Sequence, residues 1–491
     1  MKSLLACDLG ASNGRIVAGL FDGNKIRLNE IYRFPNKYVK ENSHYYWDFN
    51  SITTEISAGI EKAEQILGYC QKSIGFDTWG VDFGLIDCDK KLVSKPFSYR
   101  DTFTRKYLSE VSNRIEDEVL FQKTGNEVNS INTLFQLYAI NKEFPDYLQE
   151  AKSILFMPNL LAYFYSDIKV NEFTISSTSQ LLSWVLKSWD SEIINCLFDI
   201  PLPLEQVKMP HLKLGKMKKG YIQSPVDVIL VPGHDTACAI SALPMNDSDS
   251  AFISLGTWGV IGKITEQPVI TKEVFDNDFT NEGTSEGKWR LQKNAMGFWI
   301  LQCLKKEWGN VSYEKETAIL EVSTCSRMWI DPDHSIFFNP TSMTDAINQF
   351  CSMTGQPMPS SLEEYIRCIV ESMALNFGYL INKIEQLSSS KVHSVYMGGG
   401  GIQNKSLCQF LSNATGRVVI TGPIEASVLG NTLSQLRAQN EINSLEEGKE
   451  IVRHSIKETI YTPRESAYWN EVIGSFRELL ESKGDSEYAN R

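Results

Sequence analysis

The stretch VILVPGHDTACAISALPMNDSDSAFISLGTWG, residues 228–259, decides how the chain is read. It opens with Val228-Ile229-Leu230-Val231, an apolar run bounded by Pro225 and Pro232, which predicts a short buried strand. The run ends in Gly233-His234-Asp235-Thr236, so an imidazole and a carboxylate sit at the strand's C-terminal edge. In open α/β sheets that edge is where ligands bind. The small residues from Ala237 to Ala242 predict a close-packed helix, and Ala251 to Leu255 a second strand. That strand runs into Gly256-Thr257-Trp258-Gly259, a turn whose glycines let backbone amides approach phosphate oxygens. One segment at the midpoint of the chain thus offers a possible base and an anion-binding turn.

Outward from this centre, 491 residues are too many for one ordinary core and imply two or three domains. Apolar and charged fractions are those of a soluble globular protein. A net charge of -12 with no basic block argues against nucleic acid as a partner. It leaves room for an anionic ligand, because a few local amides or cations hold phosphate within an acidic protein. Ten scattered cysteines without metal spacing fit a reducing cytoplasm. Cys351 and Cys368 flank TGQPMPSS and could meet across it, although that compartment favours free thiols. The opening MKSLLACDLG is interrupted too soon by Asp8 for a signal peptide, and no apolar run is long enough to enter a membrane.

Towards the N-terminus, Ser3 to Cys7, Ile16 to Phe21 and Lys25 to Phe34 predict a β-meander with a turn at Asp22-Gly23-Asn24. Between the first two strands lies Asp8-Leu9-Gly10-Ala11-Ser12-Asn13-Gly14-Arg15. Its glycines let the turn present amides to an oxyanion, and Asp8 sits where a metal-facing carboxylate would be needed. Taken alone, the same letters describe a plain turn with a solvated acid. Ile52, Ile56, Ile60, Ala63 and Leu67 recur at helical spacing. Asp77, Trp79 and Asp82 cluster around the next strand end, the combination of carboxylates and flat apolar surface that a sugar site uses. A buried tryptophan beside loop acids fits those letters equally well. Arg100 and Asp101 either reach a polyol or pair with each other. The prolines at 201, 203 and 210 and the run Lys213 to Lys219 predict a loop with a solvated basic face.

The second half echoes the first. Strand, Leu-Gly turn and strand at 251–265 match those at 3–21, as a duplicated domain would. Trp289 to Lys293 predicts a strand that leads through Asn294 into a helix carrying Met296, Ile300, Leu301, Gln302 and Leu304. Leu362 to Leu387 keeps a helical period throughout. Val392 to Met397 runs as a strand into Gly398-Gly399-Gly400-Gly401, and helices start after Ile402-Gln403-Asn404 and Gly422-Pro423-Ile424-Glu425-Ala426. Four glycines between a strand and a helix suit a nucleotide lying against bare backbone.

These blocks, together with Gly75-Phe76-Asp77-Thr78-Trp79-Gly80-Val81-Asp82, Tyr99-Arg100-Asp101, Asn132-Thr133-Leu134-Phe135-Gln136, Ser254-Leu255-Gly256-Thr257-Trp258 and Lys293-Asn294, occur in order. The chain thereby resembles the FGGY carbohydrate kinases, and within them the rhamnulokinase branch, from about residue 4 to about residue 437. The resemblance implies an α/β protein of two ribonuclease-H-like domains of the actin-like ATPase superfamily, with a catalytic cleft between them. Residues 1–243 would form the mainly sugar-binding domain, 244–440 the mainly ATP-binding domain, and 441–491 a helical extension packed on the second half. By the same resemblance Ala11, Ser12, Asn13, Gly14 and Arg15 would face the phosphates, and Asp8 would hold magnesium through water. Gly80, His234, Asp235 and Thr236 would contact the sugar, with Asn294 near it. Thr257, Gln302 and Gly401 would line the nucleotide site, and Asp235 would be the general base. Asp77, Trp79 and Arg100 complete the expected sugar site on the residue reading above.

The implied reaction is ATP-dependent phosphorylation of the carbon-one hydroxyl of a 6-deoxyketohexose, L-rhamnulose to L-rhamnulose 1-phosphate, in the cytoplasm by a monomer or homodimer. Two segments depart from the branch. Glu127-Val128-Asn129-Ser130-Ile131 stands where an aromatic and a proline are usual, and Asn159 where an Asp is usual. Both bear on the sugar, so L-fuculose is the competing substrate. An actin-like ATP-driven clamp and a catalytically idle sugar sensor are the alternatives on the same scaffold. Retention of both Asp8 and Asp235 speaks against the sensor.

Overall fold

Lys2–Leu9 (β1) is buried along nearly its whole length, as expected of a central strand covered on both faces. It continues through a turn in which the Gly10 amide donates to the Asn13 carbonyl at 2.9 Å. Asn13–Phe21 (β2) and Ile26–Pro35 (β3) follow as the antiparallel meander. Gln71–Thr78 (β4), Leu212–Lys216 (β5) and Asp227–Leu230 (β6) complete a sheet of order β5-β6-β4-β1-β2-β3, in which β6, β4 and β1 are parallel. In this register Asp8 stands opposite both Asp77 and Arg15, and Thr78 bridges His234. Three neighbouring parallel strands therefore deliver Asp8, Asp77 and the pair His234-Asp235 to one sheet edge. The computed structural model describes residues 1–68, 71–218, 220, 225–322, 326–464 and 466–481.

One face of this sheet is covered by the helix Phe49–Leu67, whose Ile52, Ile56, Ile60 and Ala63 are buried and whose start is capped by Asp48 accepting from the Ser51 amide. The helix Ala426–Ala438 packs on β1 and β4, where its Gln435 side chain accepts from Ser73 Oγ at 2.6 Å and donates to the Leu5 carbonyl at 2.8 Å. The small-residue helix Asp235–Ser241 lies so close to it that a Cβ on Gly430 would stand 1.8 Å from the Cys238 carbonyl oxygen.

The chain forms two compact units. The first holds Met1–Pro244, Ile264–Leu291 and Glu425–Lys457, and the second holds Met245–Lys263, Gln292–Ile424 and Glu458–Arg491. They do not follow the linear division 1–243, 244–440 and 441–491. Leu429, Leu433, Leu436, Ile442, Ile451 and Val452 bury with Leu4, Phe21 and Ile26, so residues 425–457 join the first unit.

In the second unit Ser250–Leu255 (β7) pairs antiparallel with Trp258–Thr265 (β8). Trp289–Met296 (β9) carries the chain back into this unit. Ser394–Gly398 (β10), Val418–Thr421 (β11) and Ile460–Tyr461 (β12) continue the sheet as β8-β7-β10-β11-β12, with β7, β10 and β11 parallel and β12 antiparallel at the edge. The first unit has the same plan, β2-β1-β4-β6-β5, which bears out the faint internal repeat. The helix Leu362–Leu387 is capped by Ser361 accepting from the Glu364 amide.

Two local expectations fail. Leu212–Lys216 is an edge strand, not a loop; its lysines are solvated, yet Lys213 and Lys216 both pair with Asp227, at 2.8 and 2.6 Å. Lys219 of that run lies outside the described residues. Met296 ends a strand, and the helix begins only at Trp299. Cys351 and Cys368 are buried free thiols. Among the described residues no helix is long and apolar enough to cross a membrane.

Candidate active site

The first unit gathers carboxylates at the ends of β1, β4 and β6. Asp8 Oδ2 accepts from Arg15 Nε at 2.9 Å, Arg15 Nη2 at 2.6 Å and Ser427 Oγ at 2.9 Å. The remaining arm of Arg15 pairs with Glu425. Cross-strand register sets this contact, because Arg15 is the partner of Asp8 on β2. Asp77 has no solvent exposure, and its Oδ2 accepts from Asn431 Nδ2 at 2.6 Å. Burial, then the charge of Asp8, holds the Asp77 carboxyl well above the usual range.

Asp235 opens the helix Asp235–Ser241, immediately after the strand and its turn. Its Oδ1 accepts from the Thr236 amide at 2.6 Å and from Thr236 Oγ1 at 3.2 Å. Oδ2 takes no hydrogen bond among the described residues, and the side chain is 32% exposed. Burial raises its pKa, the neighbouring His234 lowers it, and Asp8 raises it again. Crowding on the protein side outweighs the open face. The result is a carboxylate with one oxygen fixed and the other available, and with raised proton affinity, which suits a general base.

His234 sits beside it, with Nε2 3.5 Å from Asp235 Oδ1. A Cβ on Gly80 would stand 3.6 Å from that Nε2, so bare backbone faces the imidazole there. The turn before His234 is anchored by Glu172, a buried acid whose Oε2 accepts from the Gly233 amide at 2.8 Å. Asn159, one of the two departures, is buried and accepts from the Glu172 amide at 3.1 Å. It therefore supports this turn. In the other departing segment the Glu127 carbonyl accepts from Asn132 Nδ2 at 2.8 Å.

Of the three residues expected on the sugar, two lie inside the protein and one at its surface. Asp77 is buried, with Oδ2 held by Asn431 and Oδ1 without a hydrogen-bond partner among the described residues, because it lies inward on a strand with parallel neighbours on both sides. Trp79 is 6% exposed; its ring packs on Trp47 at 4.2 Å between centroids and its Nε1 donates to Asp82 Oδ2 at 2.9 Å. Arg100 is exposed, lying over the rings of Tyr38 and Tyr99 at 5.6 and 5.3 Å. Asp101 accepts from the Tyr45 and Phe103 amides. Glu172, Glu282 and Arg290 escaped the sequence reading. The signal was there for the last: Arg290 is a lone charge in the otherwise apolar and amide-bearing run Trp289-Arg290-Leu291-Gln292.

In the second unit the turn after β7 is pinned from both sides. The Gly256 amide donates to the Trp258 carbonyl at 2.9 Å, and the Phe298 and Trp299 amides donate to the carbonyls of Gly256 and Thr257 at 3.1 and 3.3 Å. A Cβ on Gly297 would come within 2.6 Å of the Gly256 oxygen. Gln302 is exposed on the helix Trp299–Glu307 that those amides begin. Gly399 has φ 85° and donates to the Pro423 carbonyl at 3.1 Å; a Cβ there would meet the Leu255 oxygen at 2.7 Å. One on Gly401 would meet Leu255 Cγ at 2.5 Å. Thr257 thus lies against the start of this helix and Gly401 against Leu255, while Gln302 stands on the helix's exposed face. Asn294 is exposed near the end of β9 in this unit.

The sequence also matches known domains. Residues 3–233 match the N-terminal domain, and 251–439 the C-terminal domain, of the FGGY family of carbohydrate kinases. A rhamnulokinase of Bacteroides thetaiotaomicron is 35% identical over 98% of this chain and 99% of its own. A rhamnulokinase of Halalkalibacterium halodurans is 33% identical over 95% of this chain and 100% of its own. Among solved structures, a ligand-bound xylulose kinase from Lactobacillus acidophilus superposes with TM-score 0.82 over 100% of both chains at 14% identity, a likeness of fold.

Proposed function

The chain belongs to the FGGY family of carbohydrate kinases, and we propose that it phosphorylates L-rhamnulose on the carbon-one hydroxyl. It is an ATP-dependent sugar kinase that uses magnesium. The substrate reading is supported by the two rhamnulokinases that match nearly end to end. The observation that carries the chemistry is Asp235, whose Oδ1 is fixed by Thr236 while Oδ2 stays available.

Phosphoryl transfer asks a protein for alignment and charge neutralisation, plus a place for the proton of the attacking hydroxyl. Asp235 Oδ2 takes that proton as the sugar oxygen attacks. Such base catalysis contributes about a hundred- to ten-thousandfold. His234 Nε2 and the bare backbone at Gly80 hold the sugar against Asp235. The glycine-bearing turn from Ala11 to Arg15 receives phosphate oxygens, and Thr257, Gln302 and Gly401 receive the rest of the nucleotide. Magnesium, when bound, would supply charge neutralisation at the phosphates, and Asp8 is the carboxylate that would hold it through water. Asp8 is the carboxylate at the turn that carries Ala11 to Arg15, and its charge is met by Arg15 and Ser427 in this structure. The free thiols at Cys351 and Cys368 fit a cytoplasmic setting.

L-Fuculose differs from L-rhamnulose at one stereocentre and is the competing substrate. Release of ADP with a panel of ketoses decides between them: kcat/KM highest for L-rhamnulose supports the proposal, and a preference for L-fuculose refutes the epimer. Asp235→Asn removes the proton acceptor. Its kcat should fall by at least about a hundredfold while ATP binding persists. Unchanged phosphorylation by that variant would refute the base assignment.

A further inference from the structure

Behind His234 lies a buried charge chain that no step above uses. Arg290 is completely buried, and its Nη2 donates to Glu282 Oε2 at 2.8 Å. The same Nη2 stands 3.3 Å from His234 Nδ1. Two further nitrogens of this guanidinium, Nε and Nη1, have no hydrogen-bond partner among the described residues. On its other side His234 offers Nε2, 3.5 Å from Asp235 Oδ1. The order is therefore Glu282, Arg290, His234, Asp235, all within the first unit.

A guanidinium has no acceptor and keeps its protons throughout the working range. Its contact with Nδ1 is a hydrogen bond only if Nδ1 is the acceptor. The proton of a neutral imidazole then sits on Nε2. Glu282 Oε2 is also 3.2 Å from Nδ1 and would favour the opposite tautomer, with Nδ1–H donating to it. Two considerations decide between them. The Glu282 charge is already met by Arg290 at the shorter distance of 2.8 Å. And a proton on Nδ1 would face a buried cation while taking away one of that cation's few partners.

We infer that Arg290 is a positioning residue: its guanidinium holds His234 as the Nε2–H tautomer, so that the imidazole presents a donor, not a lone pair, towards Asp235 and the incoming sugar. This rests on the reading of His234 and Asp235 as the sugar site. A donor on that side holds a hydroxyl oxygen in place and leaves the hydroxyl's own proton directed at Asp235. The opposite tautomer would compete with Asp235 for that proton.

Protein labelled with 15N-histidine, free of substrate at pH 7.5, reports the tautomer directly, with His234→Gln identifying the signals. Wild type should show a neutral His234 protonated on Nε2. A proton on Nδ1, or a doubly protonated ring, overturns the inference whatever the variants do. Arg290→Met alone would leave Glu282 buried without its partner, so the main variant is the double change Arg290→Met with Glu282→Gln. It should move the His234 proton to Nδ1 and lower kcat about tenfold or more, with KM for ATP unchanged. Arg290→Lys, which keeps a cationic donor, should retain the Nε2–H signal and most of the activity. A double variant that keeps both the Nε2–H signal and wild-type kcat refutes the role. Because the spectrum is read without turnover, it stands apart from the Asp235→Asn test. Activity surviving in Asp235→Asn would remove the base and leave the tautomer result intact.

Discussion

At the scale of single residues the least expected group is Asp82. Its carboxylate is fully buried and accepts from Trp47 Nε1 at 2.6 Å, Trp79 Nε1 and Gln136 Nε2 at 2.9 Å each, and the Tyr99 amide at 3.2 Å. Burial lifts its pKa from the ordinary 3.8 to about 6, although all four donors pull the other way. A carboxyl that binds its proton more tightly when folded adds most stability below pH 3.8 and loses it as pH rises through about 6. The loss amounts to about 3 kcal/mol at 1.36 kcal/mol per pH unit. Asp82→Asn cannot titrate. The unfolding free energy of wild type minus that of the variant should therefore fall by about that amount between pH 3.5 and pH 7, as read by urea denaturation followed through tryptophan fluorescence. A flat difference would show that folding leaves the proton affinity of Asp82 unchanged. The letters around Trp79 already marked a polar-aromatic cluster; what they could not show is that the indoles spend their N–H groups on Asp82. Partner choice of that kind depends on Trp47 and Gln136, which are distant in sequence and meet Asp82 only through the fold.

At the scale of elements, two close approaches depend on glycine. The helices Asp235–Ser241 and Ala426–Ala438 touch through Gly430, where a methyl group would lie 1.8 Å from the Cys238 oxygen. The obstacle is backbone, so it cannot swing aside. Gly430→Ala should destabilise the first unit by about 3 kcal/mol or more, at the upper end of overpacking costs, seen as a lower urea midpoint. In the second unit Gly399 combines φ 85° with a carbonyl 2.7 Å from the site of a Cβ. Gly399→Ala should displace the turn proposed for the nucleotide and raise KM for ATP about tenfold while KM for the ketose holds, since left-handed backbone costs a non-glycine residue about 1–3 kcal/mol. A change in the ketose KM alone would place this turn at the sugar. The strands bearing these turns were legible because each is an apolar run ending in glycine or aspartate. Leu212–Lys216 was not, because its two leucines are followed by Gly215 and run into the lysines up to 219, so the charge masks a short edge strand. The allegiance of residues 425–457 was hidden for another reason: it rests on Leu429, Leu433 and Leu436 meeting Leu4 and Phe21, contacts between opposite ends of the chain.

At the scale of the whole molecule, one sheet plan appears twice, yet the two copies carry different chemistry. In the first, the strand ends β1, β4 and β6 deliver acids; in the second, the corresponding ends of β7, β10 and β11 deliver Gly256, Gly399 to Gly401 and Gly422. Acids suit a proton acceptor and a cation, and bare amides suit phosphates and a nucleoside. The division of labour should show in hydrogen exchange. L-Rhamnulose without nucleotide should slow exchange chiefly in the first unit, at Thr78–Asp82 and Gly233–Thr236. A non-hydrolysable ATP analogue with magnesium should protect Gly256–Trp258 and Gly398–Gln403, and also Gly10–Arg15, because the first copy keeps its own glycine-bearing turn. The turn at 10–15 is the discriminating element: protection there by nucleotide, and not by sugar alone, ties the acid-bearing copy to the phosphates. If the ketose by itself protected the turn at 256–258 as strongly as 233–236, the sugar would not belong to the first unit, and the acids gathered there would serve the metal alone.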